Sequence, residues 1–180
     1  PLNIEIKSWD EAKEPRASRQ ETANIVVRQL QDGGLGGQYV VSSFIWRDIL
    51  PVVKKIDPSI YVIGFERVDD PDGKGPAKSI RQPGSSQYGV VREAASAGLD
   101  ALGFNSNYAQ ASVVEFVNEM GLDLAMYELD TPAKVRFAIA NGQRFVGSDN
   151  PVATRSLLND ISSSGSLPQL SDLQTKLTSL

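Results

Sequence analysis

Short apolar runs alternate with amphipathic segments along most of this chain, and that alternation constrains the fold more than any other feature. Runs rich in β-branched residues predict strands, and apolar residues spaced three or four apart predict helices. Strands that alternate with helices pair in parallel through right-handed crossovers. The pattern predicts strands at residues 2–7, 39–44, 60–66, 101–105, 122–129 and 144–147.

The intervening helices carry start and stop signals of their own. A capping box, Ser18 followed by Glu21, predicts the start of the first helix, and Gly33 with the glycine after it predicts its end. Pro51 is expected near the first turn of a short helix over 46–56, and Pro132 in the first turn of a later one. A last helix is predicted from 151 to about 161.

Two α/β folds fit this order, an open doubly wound sheet and a (β/α)8 barrel. A dinucleotide-binding sheet needs a glycine-rich turn after its first strand, and residues 8–11 are Ser-Trp-Asp-Glu. The glycines at 33–37 lie between a helix and a strand, where they predict a helix stop. The barrel is favoured, because its site is built where strands end. Acids, amides and hydroxyls fall there, at Glu5, Ser42, Ser43, Glu66, Asn105, Glu128 and Asp149.

The first strand is the leading candidate for chemistry. Alternation along a strand places Asn3, Glu5 and Lys7 on one face and the apolar residues on the other. A charged residue is seldom buried without a partner or a metal, so Glu5 is a candidate cation ligand. A Glu5–Lys7 ion pair with no further role is the alternative.

Composition excludes several classes of function. The net charge of -4 gives no electrostatic footprint for nucleic acid, and no apolar run approaches the ~20 residues of a membrane span. The chain is expected to be soluble, with no targeting segment inside it. It contains no histidine. Any proton transfer by this chain must therefore use carboxylates, lysine or tyrosine.

Four motifs fall at strand ends, in the order Leu2-Asn3-Ile4-Glu5-Ile6-Lys7, Val41-Ser42-Ser43-Phe44, Met126-Tyr127-Glu128-Leu129-Asp130 and Gly147-Ser148-Asp149-Asn150-Pro151. In this order they resemble the glycerophosphodiester phosphodiesterase family. The first looks like that family's strand with a metal-binding glutamate and a nearby lysine, and the second like its next strand. The third stands where the family has tryptophan followed by Thr-Val-Asn, and the fourth looks like its closing Thr-Asp-x-Pro.

The resemblance implies a (β/α)8 TIM-type barrel that is incomplete, with about six of eight βα units. Residues 1–161 would form the partial barrel and 162–180 a C-terminal tail. By this reading the chain begins at the third barrel strand, and the absent front carries two catalytic histidines and a metal-binding Glu-x-Asp pair. The chain is then either a fragment of a longer enzyme or a truncated relative that a partner chain completes.

The same resemblance implies hydrolysis of a small-molecule glycerophosphodiester to glycerol phosphate and an alcohol. Glu5 would bind a divalent cation, Ca²⁺ or Mg²⁺, held weakly without the missing part because such ions want six or more ligands. Lys7 would be catalytic, contacting phosphate or stabilising charge in the transition state. Tyr127 would stack on the glycerol or alcohol, or be an ordinary barrel aromatic. Glu128 replaces a threonine and would repel phosphate unless it is neutralised.

Other candidates carry less chemistry. Asp149 is expected to fix its loop or cap the last helix, and Ser42 and Ser43 to make strand-end hydrogen bonds. The acidic segment 69–74 fails the EF-hand pattern and is expected to be a solvated loop. Two other functions stay open: a catalytically dead barrel that binds a phosphodiester or a partner chain, and an unrelated barrel enzyme that uses carboxylates alone.

Overall fold

The chain forms a five-stranded parallel sheet whose strands alternate with helices. The computed structural model describes residues 2–7, 15–35, 37–66, 86–106, 111–129, 131–148 and 150–163. The strands are β1 (Leu2–Glu5), β2 (Tyr39–Ser43), β3 (Tyr61–Glu66), β4 (Ala101–Phe104) and β5 (Asp123–Leu124). The helices are α1 (Arg16–Asp32), α2 (Trp46–Ile56), α3 (Ser86–Ser96), α4 (Ala111–Glu119), α5 (Pro132–Ala140) and α6 (Pro151–Ser163).

The strands lie in the sheet in the same order as in the sequence, and every neighbouring pair is parallel. A doubly wound sheet reverses its strand order at a switch point, and this order has no reversal. Sequential parallel order is the arrangement of a barrel wall. The predicted α/β fold, an incomplete barrel, is confirmed.

The sheet separates two apolar layers. The larger lies between strands and helices and includes Val41, Val62 and Leu102. The smaller covers the other face, where Val40 and Ile63 pack with residues of β3, β4 and the chain beyond β5. Because successive strand residues alternate between faces, neighbours such as Val40 and Val41 belong to different layers. The smaller layer is the concave interior of the partial barrel.

The predicted sixth strand is not formed. Residues 144–147 are described and make no strand pairing. Their place at the edge of the sheet is taken by one side chain, Gln143, which is 1% exposed. Its Oε1 accepts from the Met126 backbone N at 2.9 Å, and its Nε2 donates to the Met126 carbonyl at 3.0 Å. A side-chain amide thus pairs with both backbone groups of Met126, as a neighbouring strand would.

Helix starts depend more on tertiary contacts than the sequence suggested. The capping box at Ser18 is wrong: α1 begins at Arg16 after Pro15, and no side chain caps it. Arg16 and Arg19 instead pair with Asp48 of α2, at 2.9 and 2.5 Å. Two charge-assisted contacts to a neighbouring helix outweigh one local cap, so the first turn extends to include both arginines.

Other helix boundaries follow the sequence more closely. Thr131 caps α5 by accepting from the backbone N of Lys134, with Pro132 in the first turn as predicted. Gly33 ends α1, also as predicted. Pro51 lies inside α2, beyond its first turn.

Several sequence predictions fall outside the described residues. They include the acidic segment 69–74, Asp149 and the tail from 164 to 180. Within the described ranges, no helix is long and apolar enough to cross a bilayer.

Candidate functional site

A cavity of about 610 Å³ opens at the carboxyl end of the strands, where the sequence placed the site. Its lining comes from β1, from the ends of β2 and β3, from residues 127–135 and from residues 147–157. Asn3 and Glu5 both line it, as the alternation along β1 predicts, whereas Lys7, predicted on the same face, is not among the described residues that line it.

Glu5 is the most unusual group in this cavity. Its Oε2 lies 3.3 Å from the ammonium of Lys7, whose side chain is 56% exposed. Its Oε1 is buried and accepts no hydrogen bond from any described residue. A buried carboxylate oxygen without a donor or cation is costly, so the ion pair with Lys7 leaves half of this carboxylate unsatisfied.

A second buried oxygen without a hydrogen-bond partner among the described residues lies on β2, at the position that pairs with Glu5. Ser42 pairs with Glu5 in the β1–β2 register, and its buried hydroxyl has no partner among the described residues. The predicted strand-end hydrogen bonding holds for Ser43, which donates to the Ile6 carbonyl at 2.8 Å and accepts from Ile45. It does not hold for Ser42. Ser43 thereby ties the end of β1 to β2 and fixes the place of Glu5.

Tyr127 belongs to a cluster of three rings that lines the cavity. Phe44, Phe65 and Tyr127 have ring centroids 5.2–5.6 Å apart, with Tyr127 edge-on to both phenylalanines. The Tyr127 hydroxyl donates to the Glu66 carbonyl at 2.9 Å, which fixes the ring. Sequence reasoning singled out Tyr127 and missed the two phenylalanines. Their positions at consecutive strand ends were the available signal.

Glu128 has a left-handed backbone, with φ of 58°, and is the one non-glycine residue of this kind in the described ranges. Such a conformation costs about 1–2 kcal/mol outside glycine, so the surroundings must hold it. Ser106 donates to its carbonyl at 2.7 Å, and Asn105 donates to its carboxylate at 2.7 Å. Both contacts come from the end of β4 and direct Glu128 to the cavity lining.

The remaining strand-end candidates have structural contacts. Glu66 accepts from the indole of Trp46 at 3.1 Å and pairs with Arg47 on the outer helix layer. Asn150 caps α6, because its side-chain oxygen accepts from the backbone N of Ala153 at 3.1 Å, while Asp149, for which a loop contact or a cap was predicted, lies outside the described residues. Neither Glu66 nor this cap contributes a free carboxylate to the cavity.

The described residues could supply one ligand of a metal site. No group of three potential ligands among acids, histidine and cysteine occurs in the described part of the chain. Glu5 Oε1 is a negatively charged oxygen in need of a cation, which is the chemistry Ca²⁺ and Mg²⁺ prefer. The further ligands of a complete site would have to come from elsewhere.

A second cavity, of about 910 Å³, lies at the amino end of the strands and has a different character. Its lining Tyr61 donates to Asp123 at 2.5 Å, and Asp123 pairs with Arg144. Burial, then the bond to the Asp123 carboxylate, raises the pKa of the Tyr61 hydroxyl well above its usual value. Tyr61, Asp123 and Arg144 are thus paired with one another, which supports stability at this end, whereas the buried unsatisfied oxygens of Glu5 and Ser42 lie at the carboxyl end.

Gly103 in β4 makes room for the three-ring cluster. A Cβ at this position would overlap the Ala125 carbonyl oxygen and lie 2.6 and 2.8 Å from two carbons of the Phe65 ring. Gly103→Ala is therefore expected to lower the free energy of unfolding by about 3 kcal/mol, through overpacking, and to displace Phe65 from the cavity wall. Urea denaturation of the variant gives the energy.

Gly89→Ala is the matched control, because a Cβ there meets nothing within 4 Å and Gly89 lies inside α3. We expect it to be stabilising by about 0.5–1 kcal/mol. Equal stability of Gly103→Ala and the natural protein would show that β4 and β5 can separate without cost.

Comparison with known proteins identifies the fold. No protein-family model and no curated protein sequence matches this chain. Solved structures do: a glycerophosphodiester phosphodiesterase of Parabacteroides distasonis is 17% identical, with a TM-score of 0.65, over 88% of this chain and 57% of that one. A Silicibacter pomeroyi structure assigned as a glycerophosphoryl diester phosphodiesterase is 20% identical, with a TM-score of 0.69, over 94% and 52%.

A third such structure, from Agrobacterium tumefaciens, has a TM-score of 0.68 at 16% identity. At these identities the likeness establishes the fold. The chain spans about half the length of the solved structures it matches. It thus has the fold of part of a phosphodiesterase barrel.

Proposed function

We propose that the intact protein containing these residues hydrolyses glycerophosphodiesters to glycerol phosphate and an alcohol, with a divalent cation bound in part by Glu5. One observation carries the proposal: Glu5, whose buried Oε1 has no partner among the described residues, lines a cavity at the carboxyl end of a barrel sheet. The likeness of the fold to phosphodiesterase structures supports the substrate class.

The roles of the neighbouring residues follow from their positions. The cation, when bound, would neutralise phosphate charge and orient the attacking oxygen. Lys7 keeps a positive charge 3.3 Å from Glu5 and, being half exposed, can reach toward a phosphate oxygen. Tyr127 and its two phenylalanine neighbours offer an apolar wall to the alcohol or the glycerol. None of these residues is assigned as the general acid or the general base of the proposed hydrolysis.

The chain has no histidine, so the missing acid and base would come from an additional segment or a partner chain. Loss of such groups typically costs 10²–10⁴-fold in rate, and this chain alone is expected to be inactive. The edge of β1 is a suitable place for the addition. Leu2 and Ile6 direct their backbone N–H groups to β2, so those of Asn3 and Glu5 point to the other side.

No described strand occupies that other side of β1, and Leu2 is 57% exposed beside it. A parallel βα unit added there would pair with Asn3 and Glu5 and cover Leu2. It would also bring its own strand end next to the Glu5 carboxylate. In this proposal, the unit that completes the barrel therefore also completes the metal site.

A second candidate, a catalytically dead barrel that binds a phosphodiester or a partner chain, is favoured by Glu128. A carboxylate at the cavity adds a negative charge where phosphate would enter. In this alternative the same wall binds a ligand without cleaving it.

Turnover by the complete protein distinguishes the two candidates. Purified complete protein is incubated with glycerophosphodiesters, and release of glycerol phosphate is measured with added Mg²⁺ or Ca²⁺ and after chelation. Release that depends on the cation is the expected result. Ligand binding without release would overturn hydrolysis and favour the dead barrel.

A further inference from the structure

Two buried oxygens lie on neighbouring strands without hydrogen-bond partners among the described residues. They are Oε1 of Glu5 on β1 and Oγ of Ser42 on β2, and the two residues are direct partners in the parallel register. Within the described ranges they are the only buried side-chain polar atoms of this kind. Buried polar groups are nearly always bonded, so two exceptions at one position of the sheet point to a common cause.

Both side chains lie on the cavity side of the sheet. Residues paired in a parallel register point to the same face, and Glu5 lines the carboxyl-end cavity. Alternation along β2 agrees, because Val40, two residues before Ser42, belongs to the smaller apolar layer on that face. Ser42 itself is 0% exposed. Since neighbouring strands lie about 4.8 Å apart, its hydroxyl stands beside the Glu5 side chain, away from bulk water.

The other neighbours of Ser42 in the sheet are apolar. Its register partner on β3 is Ile63, which belongs to the same smaller layer as Val40. An apolar side chain would fill this place without the cost of burying a hydroxyl. Glu5 Oε1 is the complementary group on the adjacent strand, because a hydroxyl can donate a hydrogen bond and a carboxylate oxygen can accept one.

We propose that Ser42 is a positioning residue for Glu5, its hydroxyl linked to Oε1 through one buried water. The two atoms do not bond each other directly. Buried waters typically make about three hydrogen bonds to polar groups that otherwise lack partners, and here the water accepts from Ser42 and donates to Oε1. Such a bridge is nearly as favourable as a direct bond.

The bridge holds the carboxylate from its second oxygen. Oε2 lies 3.3 Å from the Lys7 ammonium, so the two contacts together fix the orientation of the group. A carboxylate oxygen has two lone pairs, and the water uses one of those on Oε1 and leaves the negative charge. The other lone pair stays available to a cation. The inference rests on the proposed function, because the oxygen that Ser42 positions is the proposed cation ligand.

The first test measures cation affinity, independently of turnover. The complete protein is titrated with Mg²⁺ or Ca²⁺ in a calorimeter. Loss of a group that orients a metal ligand typically weakens binding 10–100-fold, and we expect about tenfold for Ser42→Ala. Ser42→Thr keeps the hydroxyl and should restore most of the affinity. Ser96→Ala, which removes an exposed hydroxyl on α3, should bind like the natural protein.

Two results of this titration would overturn the positioning role. One is equal affinity in Ser42→Ala and the natural protein. The other is an equal loss in a folded Ser42→Thr, which would assign the effect to packing. Ser42→Ala removes one oxygen and adds no bulk, so it is expected to fold. If Ser42→Thr does not fold, the second measurement decides.

That measurement tests the bridge without cation, from the urea midpoints of Glu5→Ala, Ser42→Ala and the double variant. Ser42→Ala should lower the midpoint of the natural protein and change it little in Glu5→Ala, where the bridge is already broken. Residues that share a partner show this non-additivity. Midpoint shifts that simply add would overturn the bridge.

The two measurements also separate this inference from the function on which it rests. If the natural protein binds neither cation, the proposed metal-dependent hydrolysis fails, and the midpoints alone decide the bridge. If the natural protein binds cation and cleaves glycerophosphodiesters while Ser42→Ala keeps full affinity, hydrolysis stands and the positioning role is overturned.

Discussion

Gln143→Leu is expected to lower the free energy of unfolding of the complete protein by about 2–4 kcal/mol. Leucine has a similar volume but cannot bond the backbone of Met126, so a buried N–H and a buried carbonyl lose their partners. Each unsatisfied buried group typically costs about 1–3 kcal/mol. The Phe145 carbonyl, which also accepts from Gln143, loses its donor as well. The midpoint of urea denaturation measures the effect.

The control for this variant is Gln31→Leu on α1. The exposed amide of Gln31 donates to Asp57 at 3.2 Å, in contact with water. Its loss should change stability by no more than about 0.5 kcal/mol. An unchanged midpoint for Gln143→Leu would mean that residues 144–147 can pair with β5 as a strand once the glutamine is removed, restoring the sixth strand that the sequence predicted.

Glu5→Gln is expected to reduce metal-dependent turnover of the complete protein by about 10³-fold or more. The cation supplies several kcal/mol of charge stabilisation, and each 1.36 kcal/mol corresponds to a factor of ten in rate. Glutamine keeps the shape of the side chain and removes the charge that attracts the ion. Initial rates at saturating substrate, with and without added cation, give the comparison.

Thermal unfolding adds a readout that does not require turnover. Cation should raise the Tm of the natural protein and leave that of Glu5→Gln unchanged, because only the natural carboxylate is expected to bind it. Without cation, Glu5→Gln should be no less stable, since glutamine keeps an oxygen in the place of Oε1 and the Lys7 pair is partly exposed. Glu115→Gln, exposed on α4, should respond like the natural protein. Natural rates in Glu5→Gln would remove Glu5 from the metal site.

Local patterns in the sequence were sufficient to predict the order of the helices and strands, and that Glu5 would line a cavity at the carboxyl end of the sheet. The alternation of apolar and polar residues predicted that Glu5 faces the cavity, because the side chains that share one face of a strand follow from local backbone geometry alone. Gly33 and Pro132 marked helix ends for the same local reason. The strand alternation and these helix ends depend only on backbone geometry and on residues nearby in the sequence.

The predictions that failed depended on contacts between distant residues. Asp48, some 30 positions away, sets the start of α1 in place of the Ser18 capping box. Gln143 takes the place of a strand because its amide bonds the backbone of Met126. The spacing of residues in the sequence does not reveal this contact. The left-handed backbone of Glu128 has no signature in its own residue type. Its cause is the packing of β4 against the chain after β5.

The two edges of the sheet, at β1 and beyond β5, differ in whether they can pair with a strand of another chain. Parallel sheets extend into fibres when the free edge of one copy can receive the opposite edge of the next. Here the Met126 backbone beyond β5 is already saturated by Gln143, while the side of β1 that faces away from β2 is unpaired within the described residues. Head-to-tail addition would have to join the β1 side of one copy to this occupied backbone of the next, so its first step is already hindered at Met126. The glutamine that stabilises the fold therefore also limits polymerisation, and Gln143→Leu should expose the protein to it.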